Sequence, residues 1–197
     1  MRYDASRKLE TRQKVLAEAA RSIREHGPDR ISVAEVMSAV GLTHGGFYAH
    51  FPSKDALVAA AIEEMFNDMR NSFARATEGH SPAEGMTRYI GFYLSARHRD
   101  ARGTGCPLPA LSADLARLGP EARVRYGDGV ASLTRKLTAH VAALGLEPAE
   151  SLAASILAEL VGALALSRAV ADPDQSDALL AASRESLKRR LGLEPAA

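Results

Sequence analysis

Residues 31–58 read ISVAEVMSAVGLTHGGFYAHFPSKDALV and hold the signals of two short helices joined by a tight turn. The first helix is predicted to begin after Ser32, because Ser32 and Glu35 have the spacing of a capping box. Gly41 ends this helix, since glycine accepts the left-handed backbone common at helix C-termini. The turn Gly-Leu-Thr follows, and a second helix is predicted over residues 44–50. Two helices on either side of so short a turn predict a helix-turn-helix.

The second of these helices is predicted to have two faces. Phe47 and Phe51 lie four residues apart and would face a domain core, whereas His44 and Tyr48 share a different, outward face. The glycine pair 45–46 costs about 1 kcal/mol per residue relative to alanine, so stability does not explain it. Without side chains these positions let the helix lie close to another surface, such as the floor of a DNA groove. The alternative is a helical corner with a glycine hinge.

The rest of the chain also favours helices. Hydrophobic residues make up 46% and charged residues 25% of the 197 residues, which is typical of a globular protein. Alanine and leucine dominate, aromatic residues reach only 5%, and no segment alternates as a half-buried strand does. The predicted fold is all-α. Helical spacing and punctuation by glycine and proline predict further helices over 7–26, 54–78, 82–98, 107–118, 120–144, 148–171 and 174–191.

These helices are predicted to form two domains. Residues 1–55 make a three-helix N-terminal domain, helix 54–78 connects, and residues 79–197 make a second helical domain. Residues 1–54 hold nine Lys and Arg against six Asp and Glu, which gives this segment a net charge of +3, whereas the whole chain has a net charge of +1. A mildly basic domain fits a phosphate backbone as partner, and a solvated helix face gives the same count.

The sequence favours a cytoplasmic protein that does not span a membrane. The N-terminal run MRYDASRKLETRQK lacks the apolar core of a signal peptide. Segment 151–171 is apolar, but Glu159 and Arg168 would be costly in hydrocarbon, so a buried core or interface helix is predicted. A single cysteine, Cys106, excludes an intramolecular disulfide and suits a reducing compartment.

No enzyme is predicted. The sequence lacks the G-x-S-x-G, H-E-x-x-H and P-loop motifs, and its six histidines do not have metal-ligand spacing. We therefore expect no catalytic residues, no metal site and no cofactor.

Residues 31–58 resemble the DNA-binding signature of the TetR family. The positions that match this signature are Gly41, Leu42, Thr43, Tyr48, Phe51, Ser53, Lys54, Asp55 and Leu57. The resemblance implies a homodimeric transcriptional regulator, a repressor that leaves a palindromic operator in double-stranded DNA when a small-molecule inducer binds.

The resemblance also assigns roles within the helix-turn-helix. The family uses the positions of Thr43, Tyr48 and Lys54 for phosphate contacts, and the chemistry agrees, since hydroxyls donate to phosphate and Lys54 lies at a helix N-terminus. His50 could donate to phosphate in the same way. Positions that meet base edges in the family are occupied here by His44, Gly45 and Gly46, so His44 is the main candidate for direct readout.

In the family, the second domain binds a ligand in a helical cage and dimerises through its last two helices. Segments 148–171 and 174–191 correspond to those last two helices, and segment 148–171 has a wide apolar stripe. The alternative is an ordinary core helix of a monomer, which would also have such a stripe. Polar and aromatic side chains amid apolar helices are the pocket candidates: Tyr89, Tyr93, Arg97, His98, Tyr126 and Arg168.

Cys106 is a further sensing candidate. The run GTGCPLPAL over residues 103–111 resembles a TetR branch that includes the repressor responsive to N-ethylmaleimide and other electrophile sensors. A helix N-terminus at Cys106 would lower its pKa and favour the reactive thiolate. The alternative for Cys106 is a small hydrophobic residue buried in the core. For the protein as a whole, the alternatives are a regulator that senses a non-covalent hydrophobic ligand and, more remotely, a helical protein-interaction module.

Overall fold

The computed structural model describes residues 2–193, with side chains from residue 6 onward. Throughout these residues the regular structure is helical, without strands. The α-helices are α1 (Arg2–His26), α2 (Val33–Ala39), α3 (Lys54–Thr77), α4 (Pro82–Tyr93), α5 (Ala96–Asp100), α6 (Pro107–Leu111), α7 (Pro120–Ala143), α8 (Ala149–Ala169) and α9 (Pro173–Arg190). Short 3-10 helices cover His44–Ala49, Arg102–Thr104 and Leu115–Arg117.

The chain divides into two compact units, and each consists of two segments. The first unit comprises Met1–Asp68 and Arg102–Gly129, and the second comprises Met69–Ala101 and Val130–Ala197. The first unit therefore recruits a segment from the middle of the chain. The division of roles between residues 1–55 and 79–197 stays a prediction.

The core of the first unit is built on one face of α1. The apolar residues on this face recur at helical spacing and are buried: Val15, Leu16, Ala19, Ala20 and Ile23. Val36 and Met37 of α2 are also buried. Packing of α2 against α1 therefore removes both apolar faces from water, which stabilises the seven-residue α2 more than its intrinsic propensity does.

A buried arginine connects three parts of the first unit. The guanidinium of Arg24 donates to a carboxylate oxygen of Asp68 at 2.8 Å and to the carbonyl oxygen of Gly103 at 3.3 Å, and the Arg24 side chain is only 3% exposed. Gly103 lies directly against α1, where an added Cβ would come within 2.5 Å of the Glu25 Oε1 atom. These contacts fix the segment before Cys106 on the N-terminal helices.

Helix α7 runs without interruption through the Gly127–Gly129 region, although two glycines lower the intrinsic helix propensity there. Gly129 packs directly against the buried ring of Phe66, and a Cβ at this position would lie 2.3 Å from ring carbons. A Cβ at Gly127 would meet open space. The close approach of α7 to α3 therefore depends on one of the two glycines.

Two of the predicted helices are shorter than expected. The helix predicted over 82–98 ends at Tyr93, and Ser95 starts α5 by accepting a hydrogen bond from the backbone N–H of His98 at 3.1 Å. This serine N-cap interrupts a hydrophobic pattern that otherwise continues. The helix predicted over 107–118 is α6, only five residues long, followed by the 3-10 helix Leu115–Arg117.

In the second unit, α9 packs against α4 and α8. Ser81 and Glu84 form a capping box at the start of α4, in which the Ser81 side chain accepts from the Glu84 N–H and the Ser81 N–H donates to the Glu84 carboxylate at 3.0 Å. These hydrogen bonds hold the pKa of Glu84 below its usual range. The cap fixes the N-terminus of α4.

Helix α8 has one buried and one exposed apolar face. Its buried face includes Ile156, Leu160 and Leu164. Leu166 is 57% exposed, and Ala158 is exposed on the same helix. By length and composition α8 is apolar enough to cross a membrane, as core helices of globular proteins often are.

Candidate nucleic-acid interface

Helix α2 and the 3-10 helix His44–Ala49 form the helix-turn-helix. Ser32 caps α2 by accepting from the Glu35 N–H at 3.4 Å. Gly41 takes a φ of +75°, and the next N–H, that of Leu42, returns to the Met37 carbonyl at 2.9 Å. A residue with a Cβ is strained in this conformation, so Gly41 allows the chain to turn immediately after α2.

The short helix is anchored by two aromatic rings. Phe47 and Phe51 are 1% and 2% exposed, and their rings stack with centroids 5.8 Å apart. On the opposite face Tyr48 is 67% exposed, with its ring 6.4 Å from that of His44, which is also exposed. The anchored face holds the helix in place while the other face presents a phenol and an imidazole to solvent.

The hydroxyl of Thr43 is also presented to solvent. Thr43 occupies the N-cap position of the short helix, but its side chain makes no capping hydrogen bond. The residue is exposed. Its hydroxyl is therefore available to a partner outside the chain.

The glycine pair in this helix differs in its contacts. Neither Gly45 nor Gly46 has a positive φ. A Cβ on Gly46 would touch the Met37 methyl carbon at 3.6 Å, an ordinary contact distance, whereas a Cβ on Gly45 would meet nothing within 4 Å. Neither the backbone conformation nor the packing of this chain requires glycine at position 45.

His50 and Lys54 lie at the end of the short helix and the start of α3. His50 is half-buried, and its Nδ1 atom has no hydrogen-bond partner among the described residues. Ser53 caps α3 by accepting from the Ala56 N–H at 3.1 Å. Lys54 is exposed at the first position of α3, with its Nζ atom 3.3 Å from the Asp29 carbonyl oxygen. Its charge thus lies where the α3 dipole already favours an anion.

The sensing candidates separate into two groups, and the first is an aromatic cluster in the second unit. Tyr89, Tyr93 and His98 are all at most 3% exposed. The rings of Tyr89 and Tyr93 lie 5.8 Å apart, and His98 Nδ1 is 2.8 Å from the Tyr93 carbonyl oxygen. Sequence reasoning missed Phe73 and His140, which join this cluster with ring distances of 4.6 Å from Phe73 to Tyr89 and 4.9 Å from Phe73 to His140.

The two predicted arginines do not enter this cluster as a pair. Arg97 is exposed. Arg168 is half-buried and donates to the carbonyl oxygens of Arg99 and His98 at 3.0 and 3.1 Å. Arg168 thereby holds the end of α5, which gives it a structural task in the absence of any ligand.

The second group, Cys106 and Tyr126, lies in the first unit. Cys106 is 1% exposed, at the N-cap position of α6, and forms no disulfide. The Tyr126 hydroxyl donates to the Leu108 carbonyl at 3.3 Å. Burial raises the pKa of Tyr126 to about 12, and a negative charge on Cys106 contributes to this rise. The thiol and phenol are therefore close enough to interact.

In the described part of the chain, no group of three or more His, Cys, Asp or Glu side chains is placed to hold a metal ion.

Residues 15–61 match the family described as bacterial regulatory proteins, tetR family. The transcriptional repressor DhaR of Mycobacterium sp. (strain GP1) is 26% identical over 112 residues, which cover 57% of this chain and 56% of DhaR. The uncharacterized regulator YvdT of Bacillus subtilis (strain 168) is 36% identical over 91 residues, 45% of this chain and 47% of YvdT. The chain thus matches these curated relatives over about half their length.

Solved structures match over most of the chain. A TetR transcriptional regulator from Chloroflexus aurantiacus superposes with a TM-score of 0.81 at 25% identity, covering 95% of this chain and 96% of that one. The reduced form of NemR from Escherichia coli superposes with a TM-score of 0.80 at 18% identity, covering 91% of this chain and 96% of that one. At this identity the similarity shows the fold alone. These proteins are described as regulators, in agreement with the prediction of no enzymatic activity, and the predicted all-α class is confirmed. Residues 15–61 therefore hold the N-terminal domain of the tetR family of bacterial regulatory proteins, and the chain has the TetR fold.

Proposed function

We propose that this protein is a cytoplasmic DNA-binding transcriptional regulator, a repressor that binds a palindromic operator as a homodimer and is released by a small molecule. The observation that carries this proposal is the outward face of the 3-10 helix His44–Ala49. That face presents hydroxyl, phenol and imidazole groups around a glycine that the fold does not require.

Gly45 has its most direct explanation in an external surface. Glycine in a helix is less stable than alanine by about 1 kcal/mol, and no atom of this chain would touch a Cβ at position 45. A major-groove floor approached by the helix backbone would touch it. We therefore assign Gly45, together with Gly46 and His44, to the base-facing part of the interface.

The phosphate contacts are assigned to Thr43, Tyr48, His50 and Lys54. Thr43 and Tyr48 have exposed groups that can donate to phosphate oxygens, and Lys54 adds a positive charge at a helix N-terminus. His50 is the least accessible of the four. Phosphate contacts fix the position of the short helix on DNA and do not by themselves select a sequence.

Dimerisation is assigned to α8 and α9. From residue 151 onward the exposed positions of α8 are small or apolar, namely Ser151, Ala154, Ser155, Ala158, Leu166 and Ala169, and α9 exposes Ala178 and Ala182 among its polar residues. Small side chains allow a close approach of helices from a second copy. A twofold dimer would then present two short helices to successive turns of a palindromic operator.

The phosphate contacts predict the behaviour of two variants. Tyr48→Phe and Lys54→Ala are each expected to weaken binding to operator and to random duplex DNA by similar factors. Lys54→Ala should also reduce the slope of log K against log salt concentration by about one unit, because one cation fewer meets the backbone. Fluorescence anisotropy over a salt series measures both quantities.

Lys136→Ala is the matched control, since Lys136 is a cation of α7 that the proposal does not assign to DNA. Unchanged affinity and slope for Lys54→Ala would contradict the assignment of α3 to the DNA surface. If the wild-type protein lacks salt-dependent DNA binding, a helical protein-interaction module becomes the better account.

For the inducer we propose an electrophile that reacts at Cys106. The thiolate sulfur would add to the electron-poor carbon–carbon double bond of a quinone or maleimide, forming an S–C bond while the ring enolate takes up a proton. Cys106 is 1% exposed, so the reaction requires local opening around α6. An adduct would not fit the closed site, and this site belongs to the compact unit that also holds α1 and α2.

The proposal predicts that a maleimide releases the wild-type protein from DNA and leaves Cys106→Ser bound. A gel shift with and without the reagent tests this, with mass spectrometry to count adducts. Release of both proteins, or an unreactive thiol in the folded protein, would favour the alternative of a non-covalent hydrophobic ligand. The aromatic residues Tyr89, Tyr93 and His98 would then be the first positions to substitute.

A further inference from the structure

We infer that Arg12 of α1 is an additional DNA-backbone contact, held in position by the ring of Phe51. The inference rests on the proposed DNA-binding function and extends the interface from the helix-turn-helix to α1. Neither the sequence pattern nor the assigned phosphate contacts include Arg12.

Arg12 is attached to the end of the short helix by a cation–π contact. Its guanidinium carbon lies 4.8 Å from the centroid of the Phe51 ring, and Phe51 is 2% exposed. Arg12 itself is half-buried. A long side chain that contacts a buried ring has already lost much of its rotamer freedom, so it needs less ordering when it meets a ligand.

The hydrogen-bond donors of Arg12 are not used among the residues that the structure describes. The side chains one turn away on α1 are Lys8, Leu9, Val15 and Leu16, so no carboxylate is within helical reach. Across the described residues, Arg12 forms neither a hydrogen bond nor an ion pair with a carboxylate.

Two other arginines of α1 show the contrast. Arg21 is held by Glu18 at 2.6 Å and by Glu25 at 2.5 Å, and Arg24 is held by Asp68 at 2.8 Å. Both guanidinium groups are therefore neutralised within the protein. Arg12 keeps its charge and its planar set of N–H groups for an external anion.

The position of Arg12 indicates which anion it would meet. Phe51, whose ring Arg12 contacts, lies three residues after Tyr48 and three before Lys54, the two residues assigned to phosphates. A cation–π contact does not use the N–H groups of the guanidinium as hydrogen-bond donors, and these groups match the oxygens of a phosphate. The DNA backbone supplies this group beside any bound short helix.

The test compares Arg12→Gln with the wild-type protein on a mixed-sequence DNA duplex over a series of salt concentrations. Loss of one backbone contact should reduce the salt slope by about 0.9. Wild type should bind more tightly than the variant, and the ratio of their affinities should fall roughly threefold between about 50 and about 200 mM salt. This fall follows from the difference in slope, because the wild-type protein loses affinity faster as salt rises. Arg12→Lys keeps the charge and should restore the slope.

Lys14→Gln is the matched control, because Lys14 lies on the same helix within one turn of Glu10 and Glu18. It should leave the slope unchanged. Thermal unfolding detects a variant that folds poorly. Such a variant would have a lower melting temperature, but the protein that remains folded would keep the same salt slope. A wild-type slope in Arg12→Gln overturns this inference, whereas a wild-type protein that does not bind DNA overturns the proposed function.

Discussion

Ala158→Arg is expected to convert the proposed dimer into a monomer and to reduce affinity for a specific operator by roughly 10²–10⁴-fold, the advantage gained by linking two binding events. Ala158 is exposed on α8, so an arginine costs little in the isolated chain. In a dimer that packs α8 against a second copy, it would bury a charge without a partner. Sedimentation equilibrium and operator titration measure the two effects.

Ala142→Arg provides the control for this prediction. Ala142 is an exposed alanine on α7, a helix that is not assigned to dimerisation, and the substitution adds the same charge. It should leave both oligomeric state and operator affinity close to those of the wild type. If Ala158→Arg still sediments as a dimer, the assignment of the interface to α8 is wrong.

Gly129→Ala is expected to destabilise the protein by about 1–3 kcal/mol, the usual cost of overpacking a core. The added methyl carbon would lie 2.3 Å from the ring of Phe66, far inside van der Waals contact. Phe66 is 1% exposed and its ring also packs edge-to-face against Tyr126 at 5.6 Å, so it has little room to move. Thermal unfolding followed by circular dichroism gives the change.

Gly127→Ala, two residues earlier in the same helix, is predicted to have the opposite effect. A Cβ there meets no atom within 4 Å, so the gain in helix propensity of about 1 kcal/mol is not offset. The melting temperature should rise by roughly 2–4 °C for a chain of this size. Equal destabilisation by both substitutions would show that the helix needs glycine for flexibility rather than for the contact with Phe66.

The sequence predicted the helix-turn-helix well because its signals are local. The Ser32 cap and the positive φ of Gly41 act within a few residues. The break after Tyr93 is also local, but a serine in the middle of an apolar pattern is a weak signal, and the pattern predicted a single helix.

What the sequence could not provide is the grouping of distant residues. Tyr89 and Cys106 both satisfied the criterion of a polar or reactive group amid apolar helices, yet they lie in different compact units. The partly buried hydrogen bond from Arg24 to Asp68 spans 44 residues, and the hydrogen bond from Arg24 to Gly103 spans 79. Such contacts depend on the tertiary arrangement, which helical periodicity does not encode.

The assembly of the first unit from two separate segments has a consequence for protein synthesis. The helix-turn-helix leaves the ribosome early, but the segment Arg102–Gly129 follows only after residues 69–101 of the other unit have been made. Until then the ring of Phe66 lacks Gly129 and Tyr126 as packing partners. The nascent chain therefore has to keep an apolar surface from aggregating for the time needed to translate these residues. A hybrid regulator that borrows only residues 1–68 would keep that surface permanently uncovered.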